Sequence, residues 1–415
     1  MHYFSFKKNN LYCENIKVQD LVDEFGTPLY IYSEKTILEH FIKLRNAFSK
    51  LKPLICYSVK ANSNLSVLNL LTSAGAGLDI VSGGELYRAK KVKCQPGKIV
   101  YASVGKTDRE IKDAIKYGIF MFNIESIPEL ERIAVIAKKL KKKVRVALRF
   151  NPDVEPGTHA YITTGKKETK FGMDIQTVER IFLNRNNYPY LKVEGLHMHI
   201  GSQITKAEPF IKALRKAKKL LSDLEKENIK LKYLNIGGGL GIVYDKEKPQ
   251  TAKEFASKII PLISGLKLKL VLEPGRFIMG NAGILATKVI YIKKTPKKRF
   301  VVVDAAMNDL ARPSLYEAYH KIVPATKTKA KKDKRLADVV GPICESADFL
   351  GKSRKLDVDE GQVIAIMGTG AYGFSMSSNY NSRPRTAEVL VKNKKARLIR
   401  KRENYKDLVA KEIIT

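Results

Sequence analysis

One lysine of this sequence stands where its amine could do chemistry. Lys60 lies in the segment YSVKAN at 57–62, at the end of an apolar run at 54–59. Burial of an ammonium group costs free energy unless the amine is neutral, paired or covalently modified, and desolvation makes the amine more nucleophilic. Lys60 is therefore a candidate for a covalent bond to a carbonyl compound. The alternative is a lysine with a buried stem whose ammonium group reaches solvent.

Two other segments carry groups that bind anions or protons. The run NIGGGLG at 235–241 lets backbone N–H groups converge on an anion, and it lacks the Lys-Ser/Thr pair that a nucleoside triphosphate requires. In LEPGR at 272–276, Glu273 could keep a ring nitrogen protonated and Arg276 could bind a phosphate or carboxylate. The alternatives are a flexible turn and a local ion pair.

The histidines of GLHMHIGS at 195–202 could bind a metal. His197 and His199 are two residues apart and therefore share one face of a strand. Because no third His, Cys or acidic ligand lies nearby in the sequence, we expect no metal. We expect one of the two histidines to face a ligand and the other to be a hydrogen-bonded structural residue.

A second glycine motif resembles a dinucleotide-binding fingerprint. GTGAYG at 368–373 follows an apolar run at 363–367, and Glu388 lies twenty residues after Gly368. The helix that such a fingerprint requires is missing, because FSMSSNYN at 374–381 is rich in turn residues. We therefore do not expect a Rossmann-type site.

These segments belong to a regular succession of short apolar runs. Eight runs occupy residues 54–59, 77–81, 99–102, 120–124, 144–150, 193–200, 233–236 and 268–272. Continuous hydrophobicity is typical of parallel strands buried on both faces, and helical patterns lie between the runs. Eight such repeats predict an α/β fold with a (β/α)8 TIM-like barrel; a doubly wound open sheet is the alternative.

Polar residues cluster where the predicted strands end, which is where such barrels carry their active sites. They are Lys60, Asp79, Ser103, Asn123, Arg149, Asn151, His197, His199, Gly237–Gly239, Glu273 and Arg276. This clustering predicts an enzyme.

After residue 275 the pattern changes to strands joined by turns, with few helices. Segments 284–292, 300–303, 362–367 and 387–391 indicate a mainly β C-terminal domain. The predicted organisation is a barrel at 29–275, with 1–28 and 276–415 forming a β domain that contributes substrate-binding and dimer residues.

The charge of the chain is unusual, with 76 Lys+Arg against 42 Asp+Glu and a net charge of +34. Such basicity is typical of nucleic-acid binding, but the basic runs at 138–143, 293–299, 327–335 and 392–402 are not interleaved with aromatic residues. We interpret the charge as surface lysine and expect no specific nucleic-acid partner.

No apolar run reaches the ~18 residues of a membrane span. Cys13, Cys56, Cys94 and Cys344 form no CxxC pair, which favours the cytoplasm.

Six blocks together resemble the alanine-racemase-like, pyridoxal-phosphate-dependent decarboxylases. The blocks are YSVKAN, HIGSQ, GGG, EPGR, GPICES and GAYG, and they span nearly the whole chain. The resemblance implies pyridoxal 5'-phosphate as cofactor and the conversion of meso-2,6-diaminopimelate to L-lysine and CO2, with ornithine or arginine as alternative substrates. CESAD at 344–348 and RPSLY at 312–316 favour diaminopimelate. A racemase of this fold would be expected to carry a tyrosine at the Cys344–Glu345 block.

The resemblance also implies roles for individual residues. Lys60 would carry the cofactor, Cys344 would donate a proton and His199 would stack on the cofactor ring. The other cofactor-binding residues would be Asp79, Ser202, Gly237, Gly238, Gly239, Glu273, Arg276 and Tyr372. The substrate-binding residues would be Arg276, Arg312, Tyr316, Glu345 and Tyr372. Cys344 and Glu345 would reach the active site of a second subunit, which implies a homodimer with shared active sites.

Overall fold

The computed structural model describes residues 2–155, 170–327 and 336–414. Most of the basic run at 327–335 therefore lies outside the described residues. The chain divides into two compact units. We call His40–Ile242 with Lys248–Phe277 the barrel unit, and Met1–Glu39, Val243–Glu247 and Ile278–Thr415 the β unit.

The N-terminal elements contribute to the β unit. They are β1 (Phe4–Lys7), β2 (Asn10–Cys13), β3 (Ile16–Lys17), α1 (Val18–Phe25) and β4 (Leu29–Ser33). Strands β1 to β3 form a small antiparallel sheet. The apolar face of α1 is buried through Val18, Leu21 and Val22.

The barrel unit contains eight parallel strands that close on themselves, in the order β10-β11-β12-β5-β6-β7-β8-β9. They are β5 (Leu54–Ser58), β6 (Gly77–Ile80), β7 (Ile99–Tyr101), β8 (Met121–Ile124), β9 (Val144–Arg149), β10 (Leu191–His197), β11 (Tyr233–Asn235) and β12 (Lys269–Leu272). Each of the eight apolar runs forms one strand. Inside the barrel, a cluster that includes Cys56, Val100, Met121, Ala147 and Val271 forms a closely packed apolar layer.

Helices alternate with these strands. They are α2 (Glu34–Ala47), α3 (Leu65–Ser73), α4 (Gly83–Lys91), α5 (Asp108–Tyr117), α6 (Ile127–Lys139), α7 (Ile175–Leu183), α8 (Glu208–Lys226) and α9 (Ala252–Ile263). In helix α5 the sequence marks both ends of the helix. A capping box joins Thr107 and Glu110 at its start, and Gly118 ends it in the left-handed conformation. No helix in the described part of the chain is long and apolar enough to cross a membrane.

The rest of the β unit is dominated by strands. Helix α10 (Arg276–Met279) begins in the barrel unit and ends in the β unit. The elements after it are β13 (Gly283–Lys294), β14 (Arg299–Val303), α11 (Arg312–Tyr316), β15 (Ile322–Pro324), β16 (Ala337–Val340), β17 (Phe349–Arg354), β18 (Val363–Met367), β19 (Ala387–Lys392), β20 (Lys395–Arg400) and α12 (Tyr405–Val409). A sheet runs β17-β16-β14-β13-β4-β19-β20, and β18 joins it through β13. The closed barrel and this mainly β unit confirm the predicted fold class and exclude the open sheet.

The two compact units do not follow the predicted limit at residue 29, since residues up to Glu39 and the segment Val243–Glu247 belong to the β unit. Leu29–Ser33 pairs with β13 and β19 of the β unit, although the barrel was predicted to begin at residue 29. All five residues of this strand are buried, as in the barrel strands, so hydrophobicity alone did not separate the two cases. The remaining boundaries stay a prediction.

Candidate active site

Polar side chains collect at the carboxyl ends of the barrel strands. Lys60 lies two residues after β5, Asp79 lies within β6, and Glu273 directly follows β12. Asn123 and Asn235 come from the ends of β8 and β11. Because parallel strands of a barrel end at the same rim, these side chains meet although they are up to 213 residues apart in the sequence (273 − 60).

Lys60 is paired with a buried carboxylate. Its Nζ lies 3.2 Å from Asp79 Oδ2, which also accepts a hydrogen bond of 2.7 Å from the Ser58 hydroxyl. Burial raises the pKa of Asp79 to about 6, against the lowering effects of the Lys60 charge and the Ser58 hydrogen bond. The Lys60 side chain is 41% exposed, so its amine is open to the mouth of the barrel while its position is fixed.

Glu273 is an anion held by three side chains. Its Oε1 accepts hydrogen bonds from Asn123 Nδ2 at 2.8 Å and Asn235 Nδ2 at 2.6 Å, and its Oε2 lies 3.3 Å from His197 Nε2. Burial alone would raise the pKa of this carboxyl. His197, Lys60 and Asn235 outweigh burial and hold the pKa well below its usual range. The carboxylate therefore stays charged and can keep a nearby ring nitrogen protonated.

The two histidines have different surroundings, because only His197 belongs to β10 and His199 lies two residues beyond the end of the strand, not on the shared strand face that the sequence predicts. His197 is buried and contacts Glu273, whereas Nδ1 of His199 accepts a hydrogen bond of 3.3 Å from the Gly238 amide. Burial, with the positive charges of Arg149 and Lys60, lowers the pKa of His199 well below 6.5. His199 is therefore neutral, with its proton on Nε2.

Close packing explains why glycine occupies the run at 237–239. A Cβ on Gly238 would lie 2.1 Å from the Glu273 carbonyl oxygen, and one on Gly237 would lie 2.7 Å from His199 Nδ1. The run therefore passes against the strand ends that carry the acid and the imidazole. Nearby, the buried Arg276 donates from Nε and Nη2 to the Ser202 hydroxyl at 3.2 and 3.1 Å.

The residues of the barrel rim fit pyridoxal phosphate in their amine, their carboxylates and their anion-binding groups. Lys60 offers a partly exposed amine, and Glu273 is a buried anion suited to a pyridine nitrogen. The glycine run leaves space that any Cβ would fill, and Arg276 with Ser202 provides a cation and a hydroxyl for a phosphate. Asp79 Oδ1 is a buried acceptor with no hydrogen-bond partner in the described part of the chain, so a donor on a bound ligand could satisfy it.

The other predicted site residues lie in the β unit. Arg312 is buried at the start of α11, which ends at the half-buried Tyr316. Cys344 and Glu345 are exposed; the Cys344 amide donates to Asn381 Oδ1 at 3.1 Å.

One further contact and one backbone feature in the β unit involve predicted residues. Glu345 accepts a hydrogen bond from the Tyr380 hydroxyl. Tyr372 has a positive φ of 58° in the glycine-containing loop after β18. A short 3-10 turn at Phe374–Met376 follows this loop, so the structure lacks the helix of a dinucleotide fingerprint there.

The barrel unit thus brings together Lys60, Asp79, His199, Ser202, Gly237, Gly238, Gly239, Glu273 and Arg276. Sequence analysis did not assign the partners of these residues. Asn123 and Asn235 were visible as polar residues at strand ends, but their convergence on Glu273 depends on barrel closure. Ser58 gave no separate signal because serine is common at strand ends.

Comparison with known proteins agrees with this geometry. Residues 34–280 match the family model of the pyridoxal-dependent decarboxylase, pyridoxal binding domain. Diaminopimelate decarboxylase of Aquifex aeolicus is 49% identical over 409 residues, which cover 98% of this chain and 96% of that protein. The Helicobacter pylori diaminopimelate decarboxylase complexed with L-lysine aligns with a TM-score of 0.91 and 42% identity, covering 94% and 98% of the two chains. The M. jannaschii enzyme in co-complex with L-lysine aligns with a TM-score of 0.94 and 40% identity, covering 99% and 98%.

A closed parallel barrel whose rim presents a lysine, a buried carboxylate and a close-packed glycine run defines a barrel enzyme that uses pyridoxal phosphate. The full-length similarity is more specific than this class. The chain belongs to the diaminopimelate decarboxylase family of the pyridoxal-dependent decarboxylases.

Proposed function

We propose that this chain decarboxylates meso-2,6-diaminopimelate to L-lysine and CO2, the last step of lysine biosynthesis. The observation that carries the proposal is the barrel rim, where the partly exposed amine of Lys60 pairs with the buried Asp79 and the buried anion of Glu273 comes from the same rim. Relatives of 40–42% identity that were crystallised with L-lysine support the choice of substrate.

We assign the cofactor to the barrel residues. Pyridoxal phosphate supplies an electron sink for the pair left on the α-carbon when CO2 leaves. Lys60 holds the cofactor covalently and Glu273 keeps a proton at the ring nitrogen. The neutral His199 packs on the ring without adding a competing positive charge. Ser202, Arg276 and the glycine run at 237–239 bind the phosphate.

We assign substrate binding to Arg276, Arg312, Tyr316, Glu345 and Tyr372. The end of diaminopimelate that does not react carries a carboxylate and an ammonium group, which match an arginine and a glutamate. Ornithine lacks that carboxylate, so an arginine directed at it selects diaminopimelate.

Cys344 is the proposed proton donor to the α-carbon. The exposure of Cys344 and Glu345 in a single chain supports a homodimer in which these residues complete the active site of the second copy. The four cysteines form no disulfide, which supports a reducing, cytoplasmic location.

A substrate panel tests the function. The purified protein with added pyridoxal phosphate should release CO2 from meso-diaminopimelate and far less from ornithine, arginine or lysine. Cofactor bound through Lys60 should absorb near ~420 nm, and borohydride should abolish this band and label Lys60. Absence of both the band and CO2 release would refute the proposal, and preference for ornithine would leave the cofactor chemistry but change the substrate. Tight, salt-dependent binding of RNA, retained in full by Lys60→Ala, would favour a nucleic-acid role instead.

A further inference from the structure

The side chain of Arg312 is held from two sides within the β unit. Its Nη1 lies 3.0 Å from His320 Nε2, and its guanidinium carbon lies 4.8 Å from the centroid of the Tyr244 ring. The His320 ring packs edge-on against Tyr244, with 5.2 Å between the ring centroids. His320 is fully buried and Arg312 is only 7% exposed, so these contacts are shielded from solvent.

The hydrogen bonds of His320 determine which nitrogen carries its proton. His320 Nδ1 lies 2.8 Å from the carbonyl oxygen of Met367, which can only accept. A guanidinium can only donate, so Nε2 must accept from Arg312. His320 is therefore neutral with its proton on Nδ1. It joins the Arg312 side chain to the end of β18, from which the loop carrying Tyr372 departs.

We propose that His320 and Tyr244 are positioning residues for substrate binding: they fix the plane of the Arg312 guanidinium so that it can bind the carboxylate at the unreactive end of the substrate. This inference rests on the proposed function. Guanidinium and carboxylate bind best through two parallel N–H···O bonds, and this geometry is lost when the guanidinium plane rotates. A hydrogen bond to one nitrogen and an aromatic ring against the guanidinium restrict that rotation.

Two substitutions at His320 separate its two hydrogen bonds. His320→Asn keeps a donor at the position of Nδ1, facing Met367, but removes the acceptor for Arg312. His320→Gln keeps an acceptor at the position of Nε2 and removes the donor to Met367. We expect His320→Asn to raise KM for meso-diaminopimelate about tenfold with kcat changed less than about threefold, and His320→Gln to recover most of this loss. A purely structural role in anchoring β18 predicts the reverse order.

A ligand pair tests whether the effect acts on the carboxylate. L-lysine retains the carboxylate of the unreactive end, whereas cadaverine has no carboxylate. In His320→Asn, the inhibition constant of L-lysine should rise about tenfold while that of cadaverine should stay within about twofold. Equal weakening of both ligands would overturn the proposal.

Tyr244 provides a second test that does not disturb a fully buried residue. Tyr244→Leu should raise KM more than Tyr244→Phe, because only phenylalanine keeps a ring against the guanidinium. Equal effects would remove Tyr244 from the proposal.

The variant Arg312→Lys distinguishes a failure of the positioning inference from a failure of the proposed function. If Arg312→Lys raises KM and His320→Asn does not, positioning by His320 is wrong and the proposed role of Arg312 stands. If Arg312→Lys leaves KM unchanged while CO2 is still released, Arg312 does not bind the carboxylate and the positioning inference fails with it. If the unchanged protein releases no CO2 from meso-diaminopimelate, the proposed function itself fails.

Discussion

The barrel rim and the Cys344–Glu345 segment of the β unit differ in how completely one chain builds them. At the rim, Asp79 and Glu273 are buried and bonded to neighbouring side chains. Cys344 and Glu345 are exposed in a segment that turns between two strands. The cofactor half of the proposed site is therefore prearranged within a single chain, whereas the proposed proton donor lies at the surface, where we propose that a second copy covers it.

The largest expected effect is the loss of Lys60 from the rim. Lys60→Ala should lower kcat by about 10⁴-fold and abolish the borohydride-reducible band, because Lys60 supplies the only amine that pairs with Asp79 among the described residues. The matched control is Lys106→Met. Lys106 is fully buried and bonded to Glu129, Ser103 and Asn123, so its loss should reduce stability yet leave the band on Lys60. A band that survives in Lys60→Ala would contradict the assignment.

The next largest effect is expected from neutralising the buried carboxylate of Glu273. Glu273→Gln should lower kcat by about 10³-fold, because a neutral amide cannot hold the ring nitrogen protonated through a charged hydrogen bond. Glu194→Gln is the control, since Glu194 pairs with Arg145 and Lys232 near the starts of the strands. Steady-state kinetics on both variants measure the difference. Similar losses in the two variants would show that the charge at the rim has no special role.

The pH dependence of stability offers a third test of the buried barrel. Burial raises the pKa of Glu85 to about 7, opposed by the Val81 amide and Lys60. Between pH 4.5 and 7 the native state therefore binds more protons than the unfolded state, and the stability contributed by this group falls as pH rises. The difference in unfolding free energy between the unchanged protein and Glu85→Gln should shift by roughly 3 kcal/mol across this range, in favour of the variant at high pH. Unfolding free energies of the two proteins that change in parallel with pH would contradict this prediction.

Burial likewise raises the pKa of Asp309 in the β unit to about 7, so Asp309→Asn should show a shift of the same sign.

The barrel unit and the β unit also differ in how far the sequence could predict them. The eight apolar runs each became a barrel strand, and the rim followed because parallel strands end together. In the β unit, contacts between side chains that are distant in the sequence were not predictable. Tyr244 and Arg312 are 68 residues apart (312 − 244), and neither local sequence indicates that the Tyr244 ring lies against the Arg312 guanidinium. Leu29–Ser33 shows the same limit, since its hydrophobicity fits a barrel strand but its hydrogen bonds lie in the β unit.

A smaller effect is expected in the exposed segment. Cys344→Ala should lower kcat by about 10²-fold, less than the loss at the rim, because solvent can replace a missing proton donor slowly. Iodoacetamide should inactivate the protein in step with labelling of Cys344, since Cys13, Cys56 and Cys94 are buried. Cys94→Ser is the control and should keep the same rate of inactivation. Full activity after complete labelling of Cys344 would exclude it as the donor.

The smallest effect is expected from two capping boxes, one in the barrel unit and one in the β unit. Thr107 and Glu110 cap α5, whose apolar residues are buried in the barrel unit, while Asn404 and Asp407 cap the exposed helix α12. Thr107→Ala should reduce the unfolding free energy by about 1 kcal/mol, because unfolding of α5 exposes packed side chains. Asn404→Ala should change it by only a few tenths of a kcal/mol, because α12 buries no side chain and can fray without unfolding the rest. Chemical denaturation measures both. Equal losses would mean that α12 unfolds together with the rest of the molecule, and a short exposed helix would then be as well anchored as a barrel helix.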